Sequence, residues 1–106
     1  MNDICEAIAS YLVQQTRTGW VKIIAEVEFF EDAAEFDITC QYSDNTIEDL
    51  DSGFQLFMKF KALYRITTEN SENKWNKAKC TINQSGEFNI DFEWDQAQAD
   101  EIERLS

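Results

Sequence analysis

Residues 21–42 read Val21-Lys22-Ile23-Ile24-Ala25-Glu26-Val27-Glu28-Phe29-Phe30-Glu31-Asp32-Ala33-Ala34-Glu35-Phe36-Asp37-Ile38-Thr39-Cys40-Gln41-Tyr42. From Val21 to Phe29 the odd positions are apolar and the even ones include Lys22, Glu26 and Glu28. From Ala34 to Tyr42 the even positions are apolar and Glu35, Asp37, Thr39 and Gln41 alternate with them. Successive side chains of a strand point to opposite faces, so each run predicts a strand buried on one side only. The junction Phe30-Glu31-Asp32-Ala33 predicts a four-residue hairpin loop. Keeping both apolar sets on one face puts Phe29 opposite Ala34 and Val27 opposite Phe36, because a one-residue slip would turn one strand over. On the wet face Glu28 then meets Glu35, and Glu26 meets Asp37. Like charges directly opposite one another destabilise a pair by roughly several tenths of a kcal/mol.

These acids belong to a longer run. Between Ile23 and Met58 there are ten acidic residues (Glu26, Glu28, Glu31, Asp32, Glu35, Asp37, Asp44, Glu48, Asp49 and Asp51) and no Lys or Arg. A sequence selected for stability alone has little reason to keep facing like charges. The ten are therefore the candidate contacts for a cationic partner, with Glu26, Glu28, Glu35 and Asp37 at the centre.

Outside the hairpin, Ile4, Ile8, Tyr11 and Leu12 recur at helical spacing and predict a helix from Asp3 to Gln15, with Asp3 and Glu6 as a capping box. Ser43 to Ser52 is polar and predicts a loop, and Ser52 is the expected N-cap of a second helix from Gly53 to about Thr68. In that helix Leu56, Phe57, Phe60, Leu63, Tyr64 and Thr67 form the apolar stripe, which Phe54, Met58 and Ile66 widen. Glu69 to Asn73 predicts a loop. Lys74–Ile82 and Glu87–Trp94 alternate again, with Ala78, Cys80 and Ile82, then Phe88, Ile90, Phe92 and Trp94, turned inward. A loop Gln84-Ser85-Gly86 sets Ile82 opposite Phe88 and Cys80 opposite Ile90, so Lys79 meets Asp91 and Lys77 meets Glu93. The second hairpin thus neutralises itself where the first does not. Trp20 and Trp75 fall on outward parity at strand starts. Asp95 is placed to cap a terminal helix carrying Ala99, Ile102 and Leu105.

The expected fold is α+β, a four-stranded antiparallel sheet with helices packed on one face in the order α-β-β-α-β-β-α. A chain of 106 residues with 43% hydrophobic content forms one domain, residues 1–106. Its net charge of -12 argues against nucleic acid or an anionic membrane as a direct ligand and favours a basic protein surface. Cys5, Cys40 and Cys80, an odd number spaced far apart, suggest reduced core thiols rather than disulfides or a metal knuckle. With neither a secretory signal nor an apolar run long enough to span a bilayer, a cytoplasmic location is expected.

The chain contains no histidine, which removes the commonest general base and metal ligand. Glu26 with Asp37 forms a carboxylate pair, but exposed acids on a flat sheet lack the pocket that raises an acid's pKa for glycoside hydrolysis. Asp44, Asp49 and Asp51 do not match the spacing of a calcium loop. The three glycines form no phosphate-cradling loop. No catalytic residue, cofactor or metal is expected.

Several positions together resemble a known family. They are Ile4-x3-Ile8-Ala9, Trp20, Tyr42, Leu56-Phe57 with Leu63-Tyr64-Arg65, Trp75, and the closing run Gly86-Glu87-Phe88-Asn89-Ile90-Asp91-Phe92-Glu93-Trp94-Asp95. The pattern, spread over nearly the whole chain, resembles the YezG-like immunity (antitoxin) family of polymorphic and contact-dependent toxin systems. The resemblance implies a non-enzymatic bacterial protein that binds the C-terminal domain of a cognate toxin, frequently a nuclease, in the cytoplasm. Its matching positions are mainly core, so the contact residues come from the charge pattern alone. An acidic adaptor or chaperone-like module for a basic peptide or secretion substrate is the alternative.

Overall fold

The computed structural model describes residues 2–30, 33–69 and 75–105, and the side chains of all of these except Asn2, Ile102, Glu103 and Leu105. Three helices, α1 (Asn2–Val13), α2 (Gly53–Thr68) and α3 (Gln96–Leu105), accompany five strands: β1 (Trp20–Phe30), β2 (Ala33–Tyr42), β3 (Ile47–Asp49), β4 (Lys77–Asn83) and β5 (Phe88–Glu93). The sheet is antiparallel throughout, in the order β3-β2-β1-β4-β5.

The expected four-stranded sheet is therefore corrected to five strands, and the order to α-β-β-β-α-β-β-α. The extra strand lies in the segment expected to be a loop. Asn45 takes a left-handed backbone (φ 69°), and the chain folds back so that the Tyr42 N–H reaches the Thr46 carbonyl and the Leu50 N–H reaches that of Ile38. Three exposed residues are too few to show a period of two, and backbone pairing with β2 places them.

Both hairpin registers match the alternation. Val27 pairs with Phe36 and Phe29 with Ala34; Ile82 pairs with Phe88 and Cys80 with Ile90. The inner face carries Ile23, Ala25, Val27, Ile38, Cys40, Cys80 and Ile82, all buried against Ile8 and Leu12 of α1 and Leu56, Phe60 and Leu63 of α2. Each fully buried Leu, Ile or Phe side chain contributes about 1.5–3 kcal/mol by leaving water, and this seam is what fixes α1 and α2 to one face.

Two amide clamps tie the ends of elements together. Gln15 donates to the Asp51 carbonyl (2.9 Å) and accepts from the Asp51 N–H (2.8 Å), joining the end of α1 to the start of α2. Asn76, buried, does the same for Asp95: its amide donates to the Asp95 carbonyl (2.9 Å) and accepts from the Asp95 N–H (2.8 Å). Asp95 in turn caps α3, its carboxylate accepting from the Gln98 N–H (3.1 Å). Gln98 donates to the Phe29 carbonyl (3.0 Å), which anchors α3 at the Phe29 end of β1.

Several local expectations are corrected. Ser52 makes no side-chain capping bond, and Asp3 lies inside the first turn of α1 rather than ahead of it. The turn into α2 is set by Gly53, whose φ of 68° only glycine adopts readily; a Cβ there would lie 2.7 Å from the Tyr11 hydroxyl. Trp75 turns inward despite its parity, because β4 begins only at Lys77. It is buried between Phe29, Tyr64 and Phe92, and its indole N–H donates to Thr67 Oγ1 (2.6 Å). Trp94, expected in the core, lies past the end of β5, is 40% exposed and donates to Gln96 Oε1 (2.8 Å). The expected turn residues Glu31 and Asp32, the expected loop from residue 70 on with Lys74, and the side chains of Ile102 and Leu105 lie outside the described residues. Among the described residues no helix is long and apolar enough to cross a membrane.

Candidate binding surface on the outer face of the sheet

On the outer face of the four long strands eight charges stand in two rows, with Lys22 of β1 set apart from them opposite Asn83. One runs Asp37, Glu26, Lys79, Asp91 from β2 to β5, the other Glu35, Glu28, Lys77, Glu93. Strands lie about 4.8 Å apart, so each row crosses about 14 Å, and the two rows are separated by about 7 Å along the strands. Glu26, Glu28, Asp91 and Glu93 surround Lys77 and Lys79 in a shallow depression of about 340 Å³.

This order revises the charge argument. The hairpins were expected to stand as one unbalanced and one self-neutralised pair, yet β1 lies against β4, so Glu26 meets Lys79 and Glu28 meets Lys77. Lys77 Nζ is 3.8 Å from Glu28 and 3.0 Å from Asp95. The first hairpin's repulsion is thus partly relieved by cations of the same chain. A surplus persists: six carboxylates share the two rows with two ammonium groups, a net of -4. It is greatest at the two margins, Glu35 and Asp37 on β2 and Asp91 and Glu93 on β5, all exposed.

The ten predicted acids separate into groups. Glu26, Glu28, Glu35 and Asp37 come together on this face, and Asp49, opposite Thr39, extends it toward the β3 edge. Glu48 pairs with inward-facing Cys40 and accepts from the Tyr42 hydroxyl (2.8 Å), so it belongs to the helix side. Asp44 closes its own turn: its carboxylate accepts from the Thr46 hydroxyl (2.6 Å) and N–H (3.0 Å), and these bonds, the hydroxyl first, hold its pKa below the ordinary carboxylate value. Asp51 stands at the start of α2 beside Gln15. Glu31 and Asp32 lie outside the described residues. Asp91 and Glu93, expected to be neutralised by Lys79 and Lys77, share those lysines with β1 and are left in surplus.

Other chemistry is sparse. Among the described residues no group of three or more Cys, Asp or Glu side chains is placed to hold a metal ion. Cys40 and Cys80 are buried and Cys5 is half-buried; burial raises all three thiol pKa values, that of Cys80 to about 12. The thiolate is the reactive form, so these environments suit packing better than nucleophilic attack. Comparison of the sequence with protein-family models and with curated proteins finds no match to either.

Proposed function

We propose that this chain is a non-enzymatic binding protein that uses the outer face of its sheet to occupy a basic surface on another protein. The observation that carries this reading is the net carboxylate surplus on two adjacent rows of an open sheet face. A nuclease toxin must present cations to nucleic acid, and an acidic face covering them would block access to the substrate. Complementary fields steer association, at low salt to as much as about 10⁸–10⁹ M⁻¹s⁻¹. With the sequence resemblance to immunity proteins, the role that fits is neutralisation of a cognate toxin's C-terminal domain in the bacterial cytoplasm, without cofactor or metal.

The test is co-expression with the toxin domain encoded beside the gene, reading growth rescue and affinity. Charge reversal at Glu35, Asp37, Asp91 and Glu93 together is expected to abolish rescue and weaken binding at least 100-fold while leaving the fold intact. Unchanged rescue and affinity would remove this face from the interface. If no toxin domain binds but basic secretion substrates do, the adaptor reading replaces the immunity reading.

A further inference from the structure

On α2 the residues Phe54, Met58, Ala62 and Ile66 recur every fourth position and form a continuous stripe along the helix. The core residues Leu56, Phe60 and Leu63 point inward, whereas this stripe points to solvent: Phe54 is 75% exposed, and Met58 and Ile66 are each 47% exposed. At a rise of 1.5 Å per residue the stripe is about 18 Å long, the length of a three-turn helix contact. Its N-terminal half opens into a groove of about 400 Å³ between α1 and α2, lined by Ile4, Ala7, Phe54, Met58, Lys59 and Ala62. Apolar side chains of this size in a row exceed the scattered exposure usual for a soluble surface.

The charges beside the stripe indicate what covers it. In a chain of 21 acids, α2 contains none. It carries Lys59, Lys61 and Arg65, and none of the three has a carboxylate within 4 Å among the described residues. Lys59 and Lys61 lie over the Tyr11 and Phe57 rings instead (5.5 and 6.0 Å to the centroids). We propose that the α1–α2 groove and the Phe54–Ile66 stripe dock an amphipathic helix of a partner protein, whose apolar edge is flanked by Asp or Glu. The geometry is helix-in-groove recognition, with anchors at i, i+3, i+4 and i+7 on the partner and acids reaching Lys59, Lys61 and Arg65. A second copy of α2 would oppose cation to cation, and the outer sheet face of a second copy lacks the apolar edge. A flat anionic membrane could cover the exposed stripe but would leave the groove between α1 and α2 unfilled. This surface is distinct from the acidic sheet face and recognises the opposite charge.

The experiment uses the full chain and three probes: a fluorescein-labelled 18-residue helical peptide with Leu at i, i+3, i+4 and i+7 flanked by Glu, the same peptide with Lys in place of Glu, and vesicles of phosphatidylcholine with one-third phosphatidylserine. The Glu peptide is expected to bind at least 10-fold more tightly than the Lys peptide and to weaken as salt is raised. Phe54→Ser with Met58→Ser, both exposed, should reduce that binding at least 10-fold with an unchanged circular dichroism spectrum. Reversal of Lys59, Lys61 and Arg65 to Glu should invert the peptide preference. Equal binding of the two peptides, preference for vesicles, self-association through the stripe that Phe54→Ser abolishes, or no peptide binding at 100 μM would each overturn the proposal. None of these outcomes depends on toxin neutralisation by the opposite face.

Discussion

The ammonium of Lys77 lies 3.0 Å from a carboxylate oxygen of Asp95. Through this contact the outer face of the sheet is joined to the first turn of α3, because the same carboxylate caps that helix. The Lys77 pKa is raised, first by its hydrogen bond to Asp95, and that of Asp95 is lowered, first by Lys77 and then by the Gln98 N–H. The depressed acid stabilises the fold fully above its ordinary value of 3.8 and loses that contribution as pH falls through its folded pKa. The raised lysine contributes fully below its ordinary 10.5 and loses that contribution as pH rises through its folded pKa. Asp95→Asn retains an oxygen for the cap and removes the charge. It is expected to be less stable than the parent between those two ordinary values, with the gap closing toward acid and toward alkali. Both groups are partly exposed, so the gap should also narrow with salt. Urea unfolding as a function of pH and ionic strength checks all three.

Glu35 faces Glu28 across the first hairpin. Glu35→Lys converts a repulsive cross-strand pair into an attractive one and is expected to raise stability by about 0.2–1 kcal/mol. The same change should weaken binding to a basic partner. Stability and affinity moving in opposite directions is the signature of charge retained for function. A parallel loss of both, measured by denaturant melts and titration of the partner, would count against it.

Thr67 Oγ1 accepts a hydrogen bond from the indole N–H of buried Trp75 and its hydroxyl donates one to the Leu63 carbonyl (2.8 Å). Thr67→Val keeps the shape and strands the indole N–H, an expected cost of about 1–3 kcal/mol. Tryptophan fluorescence offers an independent check. Trp75, 2% exposed, should resist acrylamide, while Trp94, 40% exposed, should be readily quenched. Trp94→Phe should therefore remove the most readily quenched component of the spectrum and leave half-buried Trp20 and buried Trp75.

Gly53 combines a positive φ with the close approach of Tyr11. Gly53→Ala is expected to destabilise by about 1–2 kcal/mol from the backbone alone, with more from the collision. Adding Tyr11→Phe, which removes the hydroxyl but not the ring, should recover the second part and leave the first. A double-mutant cycle in denaturant separates the two contributions.

Period-two patterning revealed the strand pairs because each hairpin is local and has one register that keeps Val27 with Phe36, or Cys80 with Ile90, on the apolar side. The contact of β1 with β4 left no such trace. It joins residues far apart in sequence, and nothing in Glu26 or Lys79 alone indicates that they are neighbours. That single unread pairing is why the charge surplus was assigned to the first hairpin when it extends across to Asp91 and Glu93. β3 escaped notice because its three residues hold their place by main-chain bonds, and Trp75 because the chain bends at Asn76 before the strand begins. The α2 stripe was legible as apolar residues, but periodicity alone did not distinguish an arc wide enough for the core from one left in water.

The central position of β1 has a consequence for how the chain acquires its shape. Its first neighbour, β2, is separated from it by a short loop, whereas Val27 finds Ala78 only about fifty residues later, after α2 has been threaded between them, so β2 closes onto β1 at much lower entropic cost. The ribbon sets Glu26 and Glu28 against Asp37 and Glu35, a repulsion that is relieved in part when the later strand brings Lys77 and Lys79 alongside. Electrostatics in this way adds a small increment to the cooperativity that packing supplies: added salt should favour the ribbon in a fragment ending before residue 45 more than it stabilises the full chain.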